Sequence, residues 1–281
     1  MPASTPIDLS KLPVPTILDP LDYDALLAEL IADFRIDFPQ FVAAASDPIT
    51  KALEIGAYRR VNDRQLGNEK FKQWLVAFAN GSNLDHLGAI VGAVRLQNEI
   101  DDDFRARIVL APEGFSVAGP KNAYEYHARS AHSEIADVRA SSPAPGEVLV
   151  VILPKVGAIA TTPEILAAVS AFVNSDDIRP MTDLVNVVAA TIVEFSISAT
   201  LTIYHGPDSS LVLAAANASL EAYLARVHKI GHDITKAGVL AALFVPGVQN
   251  VVTNLVGDIV ISDTQVGICT GFTISVGGEG E

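Results

Sequence analysis

The chain has a single cysteine, Cys269, and carries charge on only 19% of its 281 residues. A lone thiol cannot close an intrachain disulfide, so this is no stapled secreted scaffold, and synthesis in a reducing cytoplasm fits. Cys269 lies in a strand-like run, where a buried small hydrophobe is the expected role. Lys and Arg number 19 against 33 Asp and Glu, for a net charge of −14. No basic stripe exists to neutralise phosphates, which argues against nucleic acid. The same shortage argues against a peripheral membrane role. No apolar run approaches the roughly 18–20 residues of a spanning helix. Met1-Pro2-Ala3-Ser4-Thr5-Pro6 has neither the basic start nor the apolar stretch of a secretory signal.

Catalytic motifs are missing as well. There is no Gly-x-Ser-x-Gly elbow and no phosphate-binding loop. Gly277-Gly278-Glu279-Gly280 opens no helix, so it is no dinucleotide fingerprint. His228 and His232 have metal-like spacing, but Gly231 interrupts the helix that would align them. His127 and His132, five apart, point to different faces and read as exposed polar residues. Glu99, Asp101, Asp102 and Asp103 do not have calcium-loop spacing, and three acids in a first helical turn suit the helix dipole. Arg105 and Arg107 nearby offer local charge balance. Trp74 and Phe78 read as core or interface anchors rather than a ligand box.

What is abundant is apolar surface. Hydrophobic residues make up 49% of the chain and the mean hydropathy is +0.34. The charges concentrate in the first half: residues 1–140 hold 14 Lys/Arg and 20 Asp/Glu, residues 141–281 hold 5 and 13. The charge-poor half must bury its apolar surface in its own core or against partners, and the second is the expectation.

The periodicities predict an α+β chain: a helical N-terminal region followed by two small mixed α/β domains. Residues 1–20, punctuated by Pro2, Pro6, Pro13, Pro15 and Pro20, read as an extended arm. The helical region spans 21–110. Asp22 caps a first helix ending before Pro39, and Asp47-Pro48 starts a second. That helical pattern lasts to about Ala79, with a break expected at Gly67. A middle α/β domain spans 111–190. It contains a hairpin over 135–153, a helix from Thr161 to Val173, and a strand at 184–189. A C-terminal α/β domain spans 191–281. Phe195, Ile197, Ala199, Leu201 and Ile203 alternate there with polar residues, the signature of a one-sided strand. A helix follows Asp208, a short one follows Thr235, and strands are predicted at 248–252, 258–262 and 267–276 before a Gly/Glu tail.

Between the helical region and the rest lies a glycine-punctuated corner. Gly81, Gly88 and Gly92 space an apolar ladder of Leu84, Leu87, Ile90 and Val91. Asn80-Gly81 is predicted to close the preceding helix, Asn83 or Asp85 to cap the next, and Gly92 to end it.

These motifs, taken in order, resemble the phage baseplate J-like family. The residues that carry the resemblance are Asp47-Pro48, then Gly81-x-x-Leu84-Asp85-x-Leu87-Gly88-x-x-x-Gly92-x-x-Arg95. They continue with Asp102-Asp103-Phe104-Arg105-x-Arg107-Ile108, Ala118-Gly119, Val138, and Ser142-Pro143-Ala144-Pro145-Gly146-Glu147-Val148. Arg179-Pro180-Met181-Thr182-Asp183 and Pro246-Gly247-Val248 complete the set, which covers roughly residues 47–276.

The resemblance implies a structural subunit of the baseplate wedge of a contractile phage tail or tail-like particle, with no enzymatic activity and no cofactor. Its implied partners are other copies of itself, a second baseplate wedge protein, a lysozyme-like wedge protein and the central hub. Its implied location is the virion, assembled in the host bacterial cytoplasm. The helical region is then the part that bundles with wedge partners, and the C-terminal domain the part that joins neighbouring copies into a ring. Gly81, Leu84, Asp85, Leu87, Gly88, Gly92 and Arg95 become candidates for a structural hinge between them, with Asp85 and Arg95 fixing its angle. Two alternatives compete: a cytosolic metal-dependent hydrolase using His228, His232 and the acidic run, and a tail-fibre or host-binding protein. The second would call for trimeric β-structure and sequence repeats, and no repeat is present.

Overall fold

A computed structural model describes residues 7–13, 15–116, 118–206 and 208–280. Part of the expected extended arm, residues 1–6 and 14, lies outside the described residues. Among those described, the chain has eight α-helices and two three-stranded sheets, an α+β fold with its helices concentrated in the N-terminal region. It divides into two compact units: residues 1–95 with 100–109, and residues 96–99 with 110–281.

The first unit is helical. α1 (Tyr23–Asp37) starts where the Asp22 carboxylate accepts from the Ala25 N–H, and α2 (Pro48–Lys72) starts where Asp47 accepts from Thr50. Each side chain satisfies an amide that has no partner within its helix. α2 runs unbroken through Gly67, contrary to the expected break, and it stops at Lys72 rather than near Ala79. A Cβ on Gly67 would meet nothing within 4 Å, so that glycine marks no bend or close approach. A buried Asn68 amide ties the helix to the chain before α1, accepting from the Asp19 N–H and donating to the Asp19 carbonyl at 2.8 Å each. Trp74 is 71% exposed and Phe78 40% exposed, so neither anchors this unit's core.

The second unit contains both sheets. In the first, β1 (Ile135–Ser141) pairs antiparallel with β2 (Glu147–Pro154), and β2 pairs parallel with β3 (Leu184–Ala189). The parallel pair is joined through α6 (Thr162–Val173), because parallel neighbours need a crossover. β2 is apolar along almost its whole length because both its faces are covered. Val150 and Ile152 belong to a core with Tyr124, Ala128, Ile165 and Val169, drawn from α5 (Lys121–Ala131) and α6. Val151 and Leu153 pack instead with Ile230 and Val266 of the following sheet region. Polar contacts reinforce that seam: Asp137 pairs with Arg129 and accepts from the Ile230 N–H at 2.9 Å, and Arg139 meets Asp263 at 2.6 Å.

In the second sheet the order is β5-β4-β6, with β4 (Thr191–Tyr204) central, antiparallel to β5 (Val248–Thr253) and parallel to β6 (Gln265–Gly280). The predicted alternation holds. Ile197, Ala199, Leu201 and Ile203 are buried beneath α7 (Ser209–Val227) and α8 (Lys236–Leu243), while Ser196, Ser198 and Thr200 are exposed. Two expectations fail here. The 258–262 segment forms only an isolated bridge between Ile259 and Ile234, because the Asp233 carboxylate takes the Ile261 N–H at 2.7 Å. The Gly/Glu tail is strand, since β6 stays paired with β4, through two shifts of register, as far as Gly280.

Truncating Leu201, which has no exposed surface, to Ala is expected to cost about 2–5 kcal/mol in denaturant unfolding. Capping carboxylates add an acid limb. Glu134 is held below the usual carboxylate range by the Ile159 and Ala160 N–H groups, Glu164 by the Thr161 amide, and Asp208 by the Ser210 hydroxyl. A carboxyl depressed in the folded state contributes its stability above the unfolded pKa, and loses it as pH falls through the folded value. Thermal midpoints are therefore expected to hold from neutrality to about pH 4 and to drop below it.

Candidate functional site

The glycine-punctuated corner lies in the first unit and is built on two short helices, α3 (Gly81–Ile90) and α4 (Asp101–Leu110). Asn80 is the N-cap residue of α3, so Asn80-Gly81 opens this helix instead of closing the one before. Its side chain makes no capping bond. The Gly81 N–H is satisfied from α4, donating to the Asp101 carboxylate at 3.0 Å. Asn83 and Asp85 therefore sit within the helix rather than at its start. Gly92, at φ 68°, follows the C-cap residue Val91 as predicted. Leu84 is buried and Leu87 and Val91 are half-buried, but Ile90 is 78% exposed, so the ladder is not buried throughout.

Three arginines knit the corner. Arg95 reaches Asp85 at 2.6 Å and Asp101 at 2.7 Å, tying the start of α4 to the middle of α3. The Gly81 N–H, followed by the Arg95 guanidinium, holds the Asp101 carboxyl below the ordinary carboxylate range. Arg95 also lies over the ring of Phe104 at 4.7 Å, with Arg107 5.2 Å from the same ring. Arg107, 3% exposed, donates to the Val94 carbonyl at 2.6 Å. Arg105 donates to the Val76 carbonyl at 2.9 Å and the Ala79 carbonyl at 2.7 Å. Arg105 and Arg107 thus do more than balance charge locally. The sequence signal for them was their place in the Asp-Phe-Arg-x-Arg motif, since periodicity says nothing of a buried guanidinium. Phe104 itself has no exposed surface, and Gly88 is small because of it: a Cβ there would stand 2.5 Å from Phe104 Cζ and 2.9 Å from the Ala93 carbonyl oxygen.

A second convergence of the quoted motifs occurs in the other unit. Gly119, at φ 66°, sits where a Cβ would come within 2.9 Å of Pro180 and 3.0 Å of Asp183. The Tyr124 hydroxyl donates to Asp183 at 2.8 Å, and burial, with that carboxylate, pushes the phenol well above its ordinary value. Arg179 donates to the Asp183 carbonyl at 2.8 Å. Residues 118–119 and 179–183, sixty positions apart, are thereby one contact.

Neither place offers catalytic geometry. Among the described residues no group of three or more His, Cys, Asp or Glu side chains could hold a metal ion. His228 is the C-cap residue of α7, and Gly231 turns the chain at φ 72° before His232, so the helical alignment is broken as expected. Glu99 is buried and accepts from the Leu96 N–H at 2.8 Å, a turn contact. His127 and His132 are half-buried, not exposed. His127 packs toward Phe172, burial lowers its pKa, and the His132 Nδ1 accepts from the Glu134 N–H. Cys269 is partly buried against the second sheet's core. No described helix is long and apolar enough to cross a membrane.

Comparison with known proteins decides what this arrangement belongs to. Residues 45–102 match the baseplate J-like N-terminal domain, 116–189 its central domain and 195–275 its C-terminal domain. The chain is 38% identical over 299 residues to baseplate protein J of Escherichia phage P2, covering 98% of this chain and 99% of that protein. The chain belongs to the baseplate J-like family. The corner from Gly81 to Arg95 falls inside the N-terminal match, and the Gly119–Tyr124–Asp183 contact inside the central one.

In this baseplate J-like chain, Gly88→Ala is expected to destabilise the first unit by about 1–3 kcal/mol through overpacking against Phe104. Gly67→Ala, which meets open space in α2, is expected to be neutral or slightly stabilising in the same denaturation assay.

Proposed function

We propose that this protein is a structural subunit of the baseplate wedge of a contractile phage tail or tail-like particle, acting by protein–protein contact and without catalytic turnover. The observation that carries the reading is the ordered match of all three baseplate J-like domains, joined to likeness along nearly the full length of a phage baseplate protein. The apolar surplus supports it. Tyr58, Trp74, Met181 and Val256 are large, exposed apolar side chains of the kind that assembly would cover.

On this reading the helical region, residues 21–110, bundles with other wedge components. The middle domain is 111–190, and the C-terminal domain, 191–281, joins neighbouring copies. Partners are further copies of the chain, a second wedge protein, a lysozyme-like wedge protein and the central hub. Its place is the tail baseplate of the virion, assembled in the host cytoplasm. Gly81, Leu84, Asp85, Leu87, Gly88, Gly92 and Arg95 serve as the joint that sets the helical region's geometry, with the Asp85–Arg95–Asp101 ion network as its stiffener. A metal-dependent hydrolase has no comparable support: among the described residues no group of three or more His, Cys, Asp or Glu side chains could hold a metal ion.

Co-expression with the adjacent tail proteins is expected to yield a defined multi-subunit complex on size-exclusion chromatography. The paired substitutions Asp85→Ala and Arg95→Ala are expected to lower its yield while the isolated chain still folds. A chain that remains alone and monomeric in the presence of those proteins would contradict the reading.

A further inference from the structure

The central family match ends at residue 189 and the C-terminal match begins at residue 195, yet the chain between them is no linker. β3 ends at Ala189, β4 begins at Thr191, and Ala190 alone stands between. The Ala190 N–H donates to the Ile152 carbonyl of the first sheet at 2.9 Å. The next amide, that of Thr191, donates at 2.9 Å to the carbonyl of Thr264, the residue before β6. The chain thus leaves one ladder on one residue and enters the other on the next. Residues 184–204 contain neither glycine nor proline, whereas boundaries that flex sit in exposed stretches rich in such residues and crossed by few contacts. Here the crossing is buried in contacts. Ala190 packs with Val151 and Leu153 of β2, Ile230, and Val266 of β6, and these four are buried. Around them Asp137 accepts from the Ile230 N–H, Arg139 donates to the Ile230 carbonyl at 3.4 Å, and the Gly231 N–H donates to the Gln265 carbonyl at 2.9 Å.

We infer that the central and C-terminal parts form one cooperative body with no hinge at residues 189–191, a strut that carries a displacement of either sheet into the other. Relative motion is the ordinary expectation for two domains of one chain, and an extensive apolar interface is what removes it. Bending the chain at Ala190 would wet Val151, Ile230 and Val266, each 1% exposed or less, and would break the Ala190 and Thr191 bonds together. It would also part Asp137 from the Ile230 amide and Arg139 from Asp263. The inference stands apart from the proposed function. For a wedge subunit it adds that these two parts move together when the particle rearranges, any bending being taken up elsewhere.

Hydrogen exchange of the full chain, read peptide by peptide in the mass spectrometer, provides the test, because amides that open in one cooperative step share one opening equilibrium. Leu201 belongs to the second sheet's core and not to the seam. Leu201→Ala is expected to speed exchange of the β2 amides about thirtyfold or more, by the same factor as those of β4. Val169→Ala, in the first sheet's core, is expected to give the reverse result, with β4 accelerated as much as β2. Should the Leu201 variant fail to fold, Ile203→Val is a milder change in the same core and is expected to speed both sheets equally, by about twofold or more. Acceleration confined to the mutated sheet overturns the inference, as do β2 and β4 amides of the unaltered chain that respond to mild denaturant with different slopes. Neither result bears on the baseplate reading, which the co-expression experiment tests separately.

Discussion

Phe104, sealed from water with Arg95 and Arg107 against its ring, is the contact on which the first unit's corner depends. The ring fixes Gly88 by leaving no room for a side chain. It also brings Arg95 to the position from which the guanidinium spans Asp85 and Asp101. Asp101 in turn supplies the acceptor that Asn80 does not, so α3 is capped by its neighbour instead of by its own leading residue. Removing Arg95 would take a cationic partner from Asp85 and Asp101 together.

The second unit solves a different problem. Each of its three-stranded sheets has helices and a core of its own, and the two sheets also share a seam. β2 serves both sides at once, Val150 and Ile152 toward α5 and α6, Val151 and Leu153 toward Ile230 and Val266. Asp137 locks the seam through Arg129 and the Ile230 amide. What the chain cannot cover internally, including Met181, Val256 and Val260, is left outward, as expected of a protein made to be assembled.

Much of this was legible in the residues themselves. Asp22, Asp47, Thr161, Asp208 and Thr235 announce helix starts because their side chains satisfy free amides wherever they stand. The 195–203 alternation is a strand because only one face of it has a core to meet. Two of the failures share a cause, a partner distant in sequence, and the third is a glycine tolerated inside a helix. Gly67 looks like a break until the surrounding helix is seen to carry it. Asp258–Ser262 has strand-forming residues, yet Asp233 takes an amide the ladder would need. Asn80 looks like a C-cap until Asp101 is placed twenty residues on. The corner itself was visible only as glycine spacing and an ordered motif, and the packing that explains it, Gly88 under Phe104, requires coordinates.

The central claim, that this chain is a baseplate wedge component, is tested most directly by cryo-electron microscopy of the assembled particle carrying a tagged copy of the chain. The account predicts tag density at the baseplate, in wedges around the hub, with the helical region against other subunits. Tag density along the tube or on the fibres, or a complete particle formed without the chain, would contradict it.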